Sequence, residues 1–345
     1  MSRTSKIEKN IIFRYWKGIL KTTFVVALLY ILAKKGFLSL EHTKRAFTHL
    51  DKIIPAILSL FLTTFLTVIR WHWLLRAQNI NLPFLRTVQL VFVGCFFNIT
   101  LPGAVSGDFV KAFYIGKEVA GKRGYAFGSI LFDRLAGLSA LVLVSAGALI
   151  MDFGSLKGTP LLHGVQLLVT TAALCVVVFY GYLFLVRERH DPLLRLFKRL
   201  EKKYNSVGSL TRIYEGVRHY HAHRLTVLKV LLVSVCIHVI VCTSCLYFAA
   251  ALGVSDLPTL AVFVIVPLGL LVTAVPILPA GVGTGHAAFG WLFQFLGTLR
   301  GADIFSLFAI AQFITGGVGG LVYLRFKSRA PALALELERE QKTST

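Results

Sequence analysis

Apolar positions along this chain come in long blocks with basic residues gathered between them. Runs able to cross a hydrocarbon core, about 20 residues each, lie near 18–33, 53–75, 124–150, 161–186, 227–252 and 304–325. The first is short and is extended by its flanks. Two further apolar regions, 87–117 and 259–297, are broken by Pro and Gly. Residues 87–101 make a helix of about 22 Å, and 107–117 a shorter one, against a core of about 30 Å. The pattern predicts an all-α polytopic membrane protein with about six spanning helices and two short helical hairpins.

Charge orients this pattern. Lys and Arg outnumber Asp and Glu by 37 to 16, a formal net charge of +21, although 56% of residues are hydrophobic. The segment 187–226 carries ten Lys and Arg residues and is assigned to the cytoplasmic side of a bacterial inner membrane. Counting outward puts the N-terminus, Arg76, Arg86, Lys117, Lys122, Arg123 and the C-terminal tail on the same side. The loop 34–52 disagrees, with Lys34, Lys35, Lys44, Arg45 and Lys52 placed outside. Lys34 and Lys35 follow the first run with no A-x-A-like site, so that run reads as a retained signal anchor. The basic segments flank spans and form no separate domain, so no nucleic-acid partner is expected.

Each broken region then enters and leaves on one face, 87–117 inside and 259–297 outside, and reads as a re-entrant hairpin. Their turns are alike: Asn98 precedes Leu101-Pro102-Gly103, followed by Gly107-Asp108, and Leu278-Pro279-Ala280-Gly281-Val282-Gly283 precedes Thr284-Gly285-His286. The halves 53–150 and 227–325 become repeats of opposite topology within a single transmembrane domain, 1–330, followed by a charged cytoplasmic tail, 331–345. Non-helical backbone at membrane depth must be enclosed by protein or face a wet cavity. The competing reading is two ordinary helical kinks with structural Gly and Pro.

Ionisable groups inside apolar stretches are the candidate chemistry, because each costs about 2.5–3.5 kcal/mol at mid-bilayer. Asp108, Lys111, Asp133 and Arg134 are such groups. Lys111 and Arg134 are the candidates to hold an anionic lipid headgroup, with Asp108 and Asp133 orienting them. Asp133 and Arg134 point apart on a helix, so each is expected to pair with a hairpin residue. A buried structural Asp–Arg network is the alternative. Asn98, Ser106, Thr284 and Gln312 are expected to hydrogen-bond the opened backbone of the turns. Gly316-Gly317-x-Gly319-Gly320 is expected to let the last helix pack closely on a hairpin.

Other groups read as structural. The five cysteines, including the pair Cys242 and Cys245, are expected as small packing residues. His219, His221 and His223 read as a solvated face rather than a metal site, and His238 as a hydrogen-bonded packing residue. Leu193, Phe197, Leu200 and Tyr204 share one face of a basic helix suited to a membrane surface. Trp71 and Trp73 fall where an aromatic belt is expected. No cofactor or metal is expected.

The motifs Arg70-Trp71-x-x-Leu74-Leu75, Asn98-x-x-Leu101-Pro102-Gly103, Gly107-Asp108-x-x-Lys111, Asp133-Arg134 and the Pro279–His286 segment occur in that order. Together they resemble the lysylphosphatidylglycerol synthase transmembrane-region family of flippase-like proteins, over about residues 15–328. The resemblance implies lipid translocation, here of an anionic phospholipid or other lipid phosphate, without the soluble aminoacyl-transferase domain of the larger synthases. Three positions depart from the family pattern: Lys111 replaces the usual Arg, Asp133 the usual Glu, and His286 the usual Glu of the second hairpin. Lys keeps a cation without Arg's bidentate fork, and His286 puts a group titrating near neutrality where a carboxylate is usual. The expected headgroup contacts are thus Lys111, Arg134, Asp108, Asp133 and His286. Alternatives are a membrane enzyme acting on a lipid-linked substrate, with Asp108 or Asp133 as base, or a non-catalytic partner of a lipid synthase. Anionic lipids are the expected partners, with a homo-oligomer or a synthase as further possibilities.

Overall fold

The computed structural model describes residues 40–101, 106–119, 121–151, 161–186, 190–204, 207–273 and 279–343, with side chains up to Arg325. The run at 18–33 and the turn residues Pro102 and Gly103 lie outside the described residues. Twelve α-helices are present among those described: α1 (Leu40–Ala46), α2 (Leu50–Ala77), α3 (Phe84–Thr100), α4 (Ser106–Glu118), α5 (Arg123–Met151), α6 (Leu161–Leu185), α7 (Pro192–Lys203), α8 (Gly208–Arg218), α9 (Arg224–Ala251), α10 (Thr259–Thr273), α11 (Thr284–Gln294) and α12 (Gly301–Thr343). No strand occurs among the described residues. Five helices are long and apolar enough to span a membrane: α2, α5, α6, α9 and the Gly301–Arg325 part of α12. They coincide with the five runs predicted beyond the first. The backbone of α12 continues as helix to Thr343, past the predicted end of the last span.

Length separates these helices from the hairpin pieces. The 28 residues of α2 rise about 42 Å, whereas the 17 of α3 rise about 26 Å and the 15 of α10 about 22 Å. Only the first of these exceeds a hydrocarbon core of about 30 Å.

The core is divided between the two ends of the bundle. At one end, Ile53, Ala56 and Leu60 of α2 pack with Ala148 and Leu149 of α5 and Cys245 and Phe248 of α9. At the other, Val68, Trp71 and Leu75 of α2 pack with Ala126, Ile130 and Phe132 of α5 and Val227 and Val230 of α9. Helix α2 is therefore antiparallel to both α5 and α9. Two hydrogen bonds fix that pairing: Ser59 with Ser244 at 2.8 Å, and Arg70 to Ser234 at 2.9 Å. The α3–α4 hairpin contributes Leu90, Val91, Ala112 and Ile115 to the second end. The α10–α11 hairpin contributes Ala261, Val264, Leu268 and Phe293 to the first. The buried residues of each hairpin thus gather in one of the two core clusters, a different one for each hairpin.

The two halves share an order: long helix, short hairpin, long helix. Their contacts are reciprocal as well. Helix α5 closes the first half and packs on α10 of the second, while α12 closes the second half and packs on α3 of the first. Helices α2 and α9 pack on each other at the centre. Exchanging the halves carries the Ser59–Ser244 bond onto the Arg70–Ser234 bond to within one residue.

The glycines predicted to allow close packing do so at three of four positions. A side-chain carbon on Gly319 would overlap the Phe92 carbonyl, one on Gly316 the Ile99 side chain, and one on Gly320 would press on the Phe96 ring. Gly317 faces open space instead. Cys242 and Cys245 are each 1% exposed within the first core, as packing residues. Trp71 is corrected from its predicted belt position. It is fully buried and donates its indole N–H to Ser129 Oγ at 3.2 Å.

Candidate functional site: a buried cation cluster beside the first hairpin

The α3–α4 hairpin crosses where two glycines meet. A Cβ on Gly107 would overlap the Gly94 carbonyl, so the helices approach backbone to backbone. Two polar side chains tie the tip, as expected: Asn98 Oδ1 accepts the Gly107 N–H at 2.8 Å, and Ser106 Oγ donates to the Phe97 carbonyl at 2.9 Å. This approach lays the Lys111 stem against Gly94, with Asp108 one turn earlier on the same face.

Asp108 then receives two cations. Lys111 Nζ lies 2.7 Å from its Oδ1, and Arg134 Nε of α5 donates to its Oδ2. The Asp108 and Lys111 side chains are 5% and 8% exposed, but that of Arg134 is 44% exposed. Lys111 Nζ also stands 5.1 Å from the centre of the Trp71 ring, whose face favours a cation. Arg134 therefore pairs with a hairpin residue, as predicted.

Asp133 does not. It turns to the opposite side of α5 and binds Arg70 of α2 through both oxygens, at 2.7 and 3.0 Å. The third guanidinium nitrogen of Arg70 donates to Ser234. Arg70 belonged to the quoted motif but was missed as a partner. The signal was available: an Arg mid-helix in an apolar run requires a carboxylate.

The second hairpin has a different tip. Gly281 and Gly283 adopt φ of 67° and 90°, and Ala280 lies between Pro279 and Gly281 at 51°. A Cβ at Gly281 would in addition come within 2.8 Å of Thr273 Cβ. Glycine is required there both by conformation and by space. His286 Nδ1 accepts the Gly283 N–H at 3.1 Å, which leaves the proton on Nε2, facing Ser306 Oγ at 3.1 Å. The ring is 4% exposed and packs edge-on to Phe305. It holds the turn together, its hydrogen-bond partners among the described residues being Gly283 and Ser306 rather than the Lys111–Asp108–Arg134 cluster. It nonetheless occupies, third in its helix after Thr284-Gly285, the place that Asp108 takes after Ser106-Gly107. The Pro279–Gly281 turn packs against α3, so the second hairpin reaches the first.

A cleft of about 230 Å³ opens at mid-height between α2, α3, α9 and α12, lined in part by Thr63, Thr64, Cys95, Asn98, Gln312 and Thr315. Gln312, expected to serve the turn backbone, lines this cleft instead. Cys95 joins the cleft to the charges, lying within electrostatic reach of Lys111, Arg134 and Asp108.

A second buried ion pair was not anticipated. Arg218, counted with the basic surface, is 3% exposed and meets Asp191 Oδ2 at 2.9 Å. It also donates to the carbonyls of Leu183 and Val186, tying α6 to α8. Asp191 caps α7 through the Leu194 N–H at 2.9 Å and accepts from the hydroxyls of Tyr182 and Tyr214. Burial opposes its charge, yet the Leu194 N–H, the two hydroxyls and Arg218 together hold its pKa below the usual carboxylate value. Nearby, His219, His221 and His223 are half-buried rather than solvated. Helix α7 exposes Leu193, Leu196 and Leu200, with Tyr204 at its end, while Phe197 packs on Tyr214. His238 is a packing residue whose Nε2–H donates to the Gly137 carbonyl at 3.0 Å.

The chain is similar to proteins named as membrane proteins. A UPF0104 membrane protein of Pyrococcus horikoshii is 28% identical over 134 residues, 38% of this chain and 38% of its own length. A UPF0104 membrane protein of Methanothermobacter thermautotrophicus is 28% identical over 284 residues, covering 77% of this chain and 78% of that protein. No solved structure matches. The family model described as the lysylphosphatidylglycerol synthase TM region matches residues 18–322, and this multi-pass membrane protein belongs to that family.

Proposed function

We propose that this protein is a lipid translocase that moves an anionic phospholipid, or another lipid phosphate, across the cytoplasmic membrane. The observation that carries the reading is the convergence of Lys111 and Arg134 on one carboxylate. With the neutral Arg70–Asp133 pair beside them, these five groups hold three positive charges and two negative. An apolar bundle disfavours that surplus, and a phosphate would offset it. The exposure of Arg134 gives such a group a point of approach, while Asp108 keeps both cations in place without a ligand.

The two hairpins act as re-entrant elements of an inverted repeat, meeting at mid-membrane. The burial of each hairpin in a different core cluster supports this, as does the contact of the second turn with α3. The end bearing α7 and α8 carries most of the described basic residues and faces the cytoplasm by the positive-inside rule. Both termini lie on that side, by the count of crossings. Lys44, Arg45 and Lys52 remain a local exception at the other end. Both Asp108 and Asp133 are engaged as anions by cations, which favours translocation over a reaction using either as general base. Self-association or a synthase partner fits the same role.

The test is reconstitution into liposomes containing an acyl-labelled anionic phospholipid, following its exchange between leaflets by chemical quenching of the outer leaflet. Wild-type protein accelerates exchange and Arg134→Ala loses the acceleration. Equal rates for the two proteins would remove the site from the mechanism.

A further inference from the structure

None of the 12 residues of α7 is buried, yet its side chains are sorted by chemistry around the helix. At the α-helical spacing, Leu193, Leu196, Leu200 and the following Tyr204 fall in one stripe. Arg195, Lys198, Arg199, Lys202 and Lys203 occupy the opposite side. Leu194, Phe197 and Glu201 form a third side, half-buried against α8. There Phe197 packs on Tyr214 with ring centres 5.2 Å apart, and Lys198 at its edge meets Glu215 at 3.2 Å. The leucine stripe lies about a quarter-turn from that contact and stays uncovered. Leu193, Leu196 and Leu200 are 44%, 50% and 36% exposed.

Position sets this stripe at a membrane boundary. The Tyr182 hydroxyl, in the last turn of the spanning helix α6, donates to Asp191 at 2.7 Å, and Asp191 caps α7. Arg218 of α8 donates to the Leu183 carbonyl in the same turn of α6 at 3.0 Å. The start of α7 is thus fixed where α6 leaves the hydrocarbon. Helix α8 is fixed in turn, because Gly128 and Gly216 bring it against the backbone of α5. The stripe and the basic side are therefore presented on a rigid support.

Such a surface needs a partner that is apolar at one depth and anionic at the next. Arg199 and Lys203, one turn apart, border the stripe away from α8, and Lys203 Nζ stands 5.4 Å from the centre of the Tyr204 ring. The one acid of the helix, Glu201, is turned toward α8 and away from this border. A leaflet containing anionic lipid meets both requirements: its acyl chains take the leucines and its headgroups face the bases. A second copy joined through α7 would instead set the five bases against their own counterparts.

We infer that α7 is a docking surface for the anionic headgroup layer of the protein's own membrane. No residue of the Lys111–Arg134 cluster takes part, so the inference goes beyond lipid translocation and stands or falls separately from it.

The experiment is amide hydrogen exchange of the full chain in nanodiscs that each hold one chain. Phosphatidylcholine alone is compared with phosphatidylcholine mixed with phosphatidylserine. The anionic membrane slows exchange of the α7 amides by about twentyfold or more, the worth of two basic residues at an anionic surface. Phosphatidylglycerol at the same charge does the same, and about 1 M salt, which shortens screening to about 3 Å, removes the difference. Arg199→Gln and Lys203→Gln each cut the slowing by about fivefold, while Lys203→Arg retains it. Amides of α8 unchanged in these variants report that the fold is intact. Leu196→Ser weakens the response to anionic lipid as well. Equal exchange in the two membranes, or a response to phosphatidylglycerol alone, would overturn the inference. So would Gln variants that speed exchange alike in both membranes, or protection that appears only when nanodiscs hold more than one chain.

Discussion

Arg70 on α2 and Asp133 on α5 form a two-point ion pair, with N–O distances of 2.7 and 3.0 Å and side chains only 8% and 4% exposed. The pair clamps the first half's two long helices together at the level of the cation cluster. It also turns Asp133 away from Arg134, its neighbour in sequence. Truncating one partner leaves an uncompensated buried charge, which costs about 3–5 kcal/mol. Arg70→Met and Asp133→Leu should each destabilise the protein by that order. The double variant should lose much less than the sum of the two. Thermal unfolding in detergent measures this, and strictly additive losses would argue against the pair.

Arg134 and Lys111 share Asp108 but differ in access, 44% against 8% side-chain exposure. Hydrogen bonds to charged groups contribute about 1.5–3 kcal/mol. Arg134→Ala should therefore reduce leaflet exchange of an anionic lipid by roughly ten- to a hundredfold, with Arg134→Lys falling between it and wild type. Lys111→Met should impair exchange and stability together, because the Lys111 stem also packs against Gly94 and beneath Trp71.

Gly319 and Gly317 lie two residues apart and make opposite predictions. A methyl group at Gly319 meets the Phe92 carbonyl, while one at Gly317 meets nothing within 4 Å. Gly319→Ala should destabilise by about 1–3 kcal/mol through overpacking. Gly317→Ala should be neutral or slightly stabilising, since alanine is the better helix former. Unfolding midpoints of the two variants settle the comparison.

Asp191 ties α6, α7 and α8 through Arg218, Tyr182 and Tyr214. Its pKa is depressed in the folded state, so its contribution is present above the unfolded carboxylate value of about 3.9. The contribution is lost as pH falls through the lower folded value. Asp191→Asn should therefore be less stable than wild type at neutral pH, and the gap should narrow below about pH 4. A gap independent of pH down to 3 would show that charge on Asp191 contributes little.

His286 binds the Gly283 N–H through Nδ1 and reaches Ser306 through Nε2. Adding a proton at Nδ1 would break the first bond. His286→Ala should loosen the second hairpin and lower the unfolding midpoint. If the histidine is structural, the pH dependence of leaflet exchange should match wild type in whatever activity the variant retains. A changed pH profile would instead assign His286 a role in proton coupling.

Much of this architecture is legible in one dimension because a bilayer imposes a length on every span. The 28 residues of α2 and the 17 of α3 announce their different roles before any packing is known. The glycines of α12, the Asn98 and Ser106 ties and the cation pair Lys111 and Arg134 could be found for a similar reason: small or polar residues in an apolar run need a local explanation. What the sequence could not determine is which partner each such residue meets. Asp133 and Arg134 point apart along one helix, but only the crossing of α2 and α5 gives Asp133 to Arg70, and only the Gly94–Gly107 contact brings Asp108 to Arg134. Arg218 reads as surface charge until α6 and α8 close around it. The cleft of Thr63, Thr64, Gln312 and Thr315 joins residues from opposite ends of the chain, and its neutrality beside a charged hairpin follows from the way the two halves interlock. Local physics sets element lengths and flags costly residues, whereas the pairing of charges depends on three-dimensional distance.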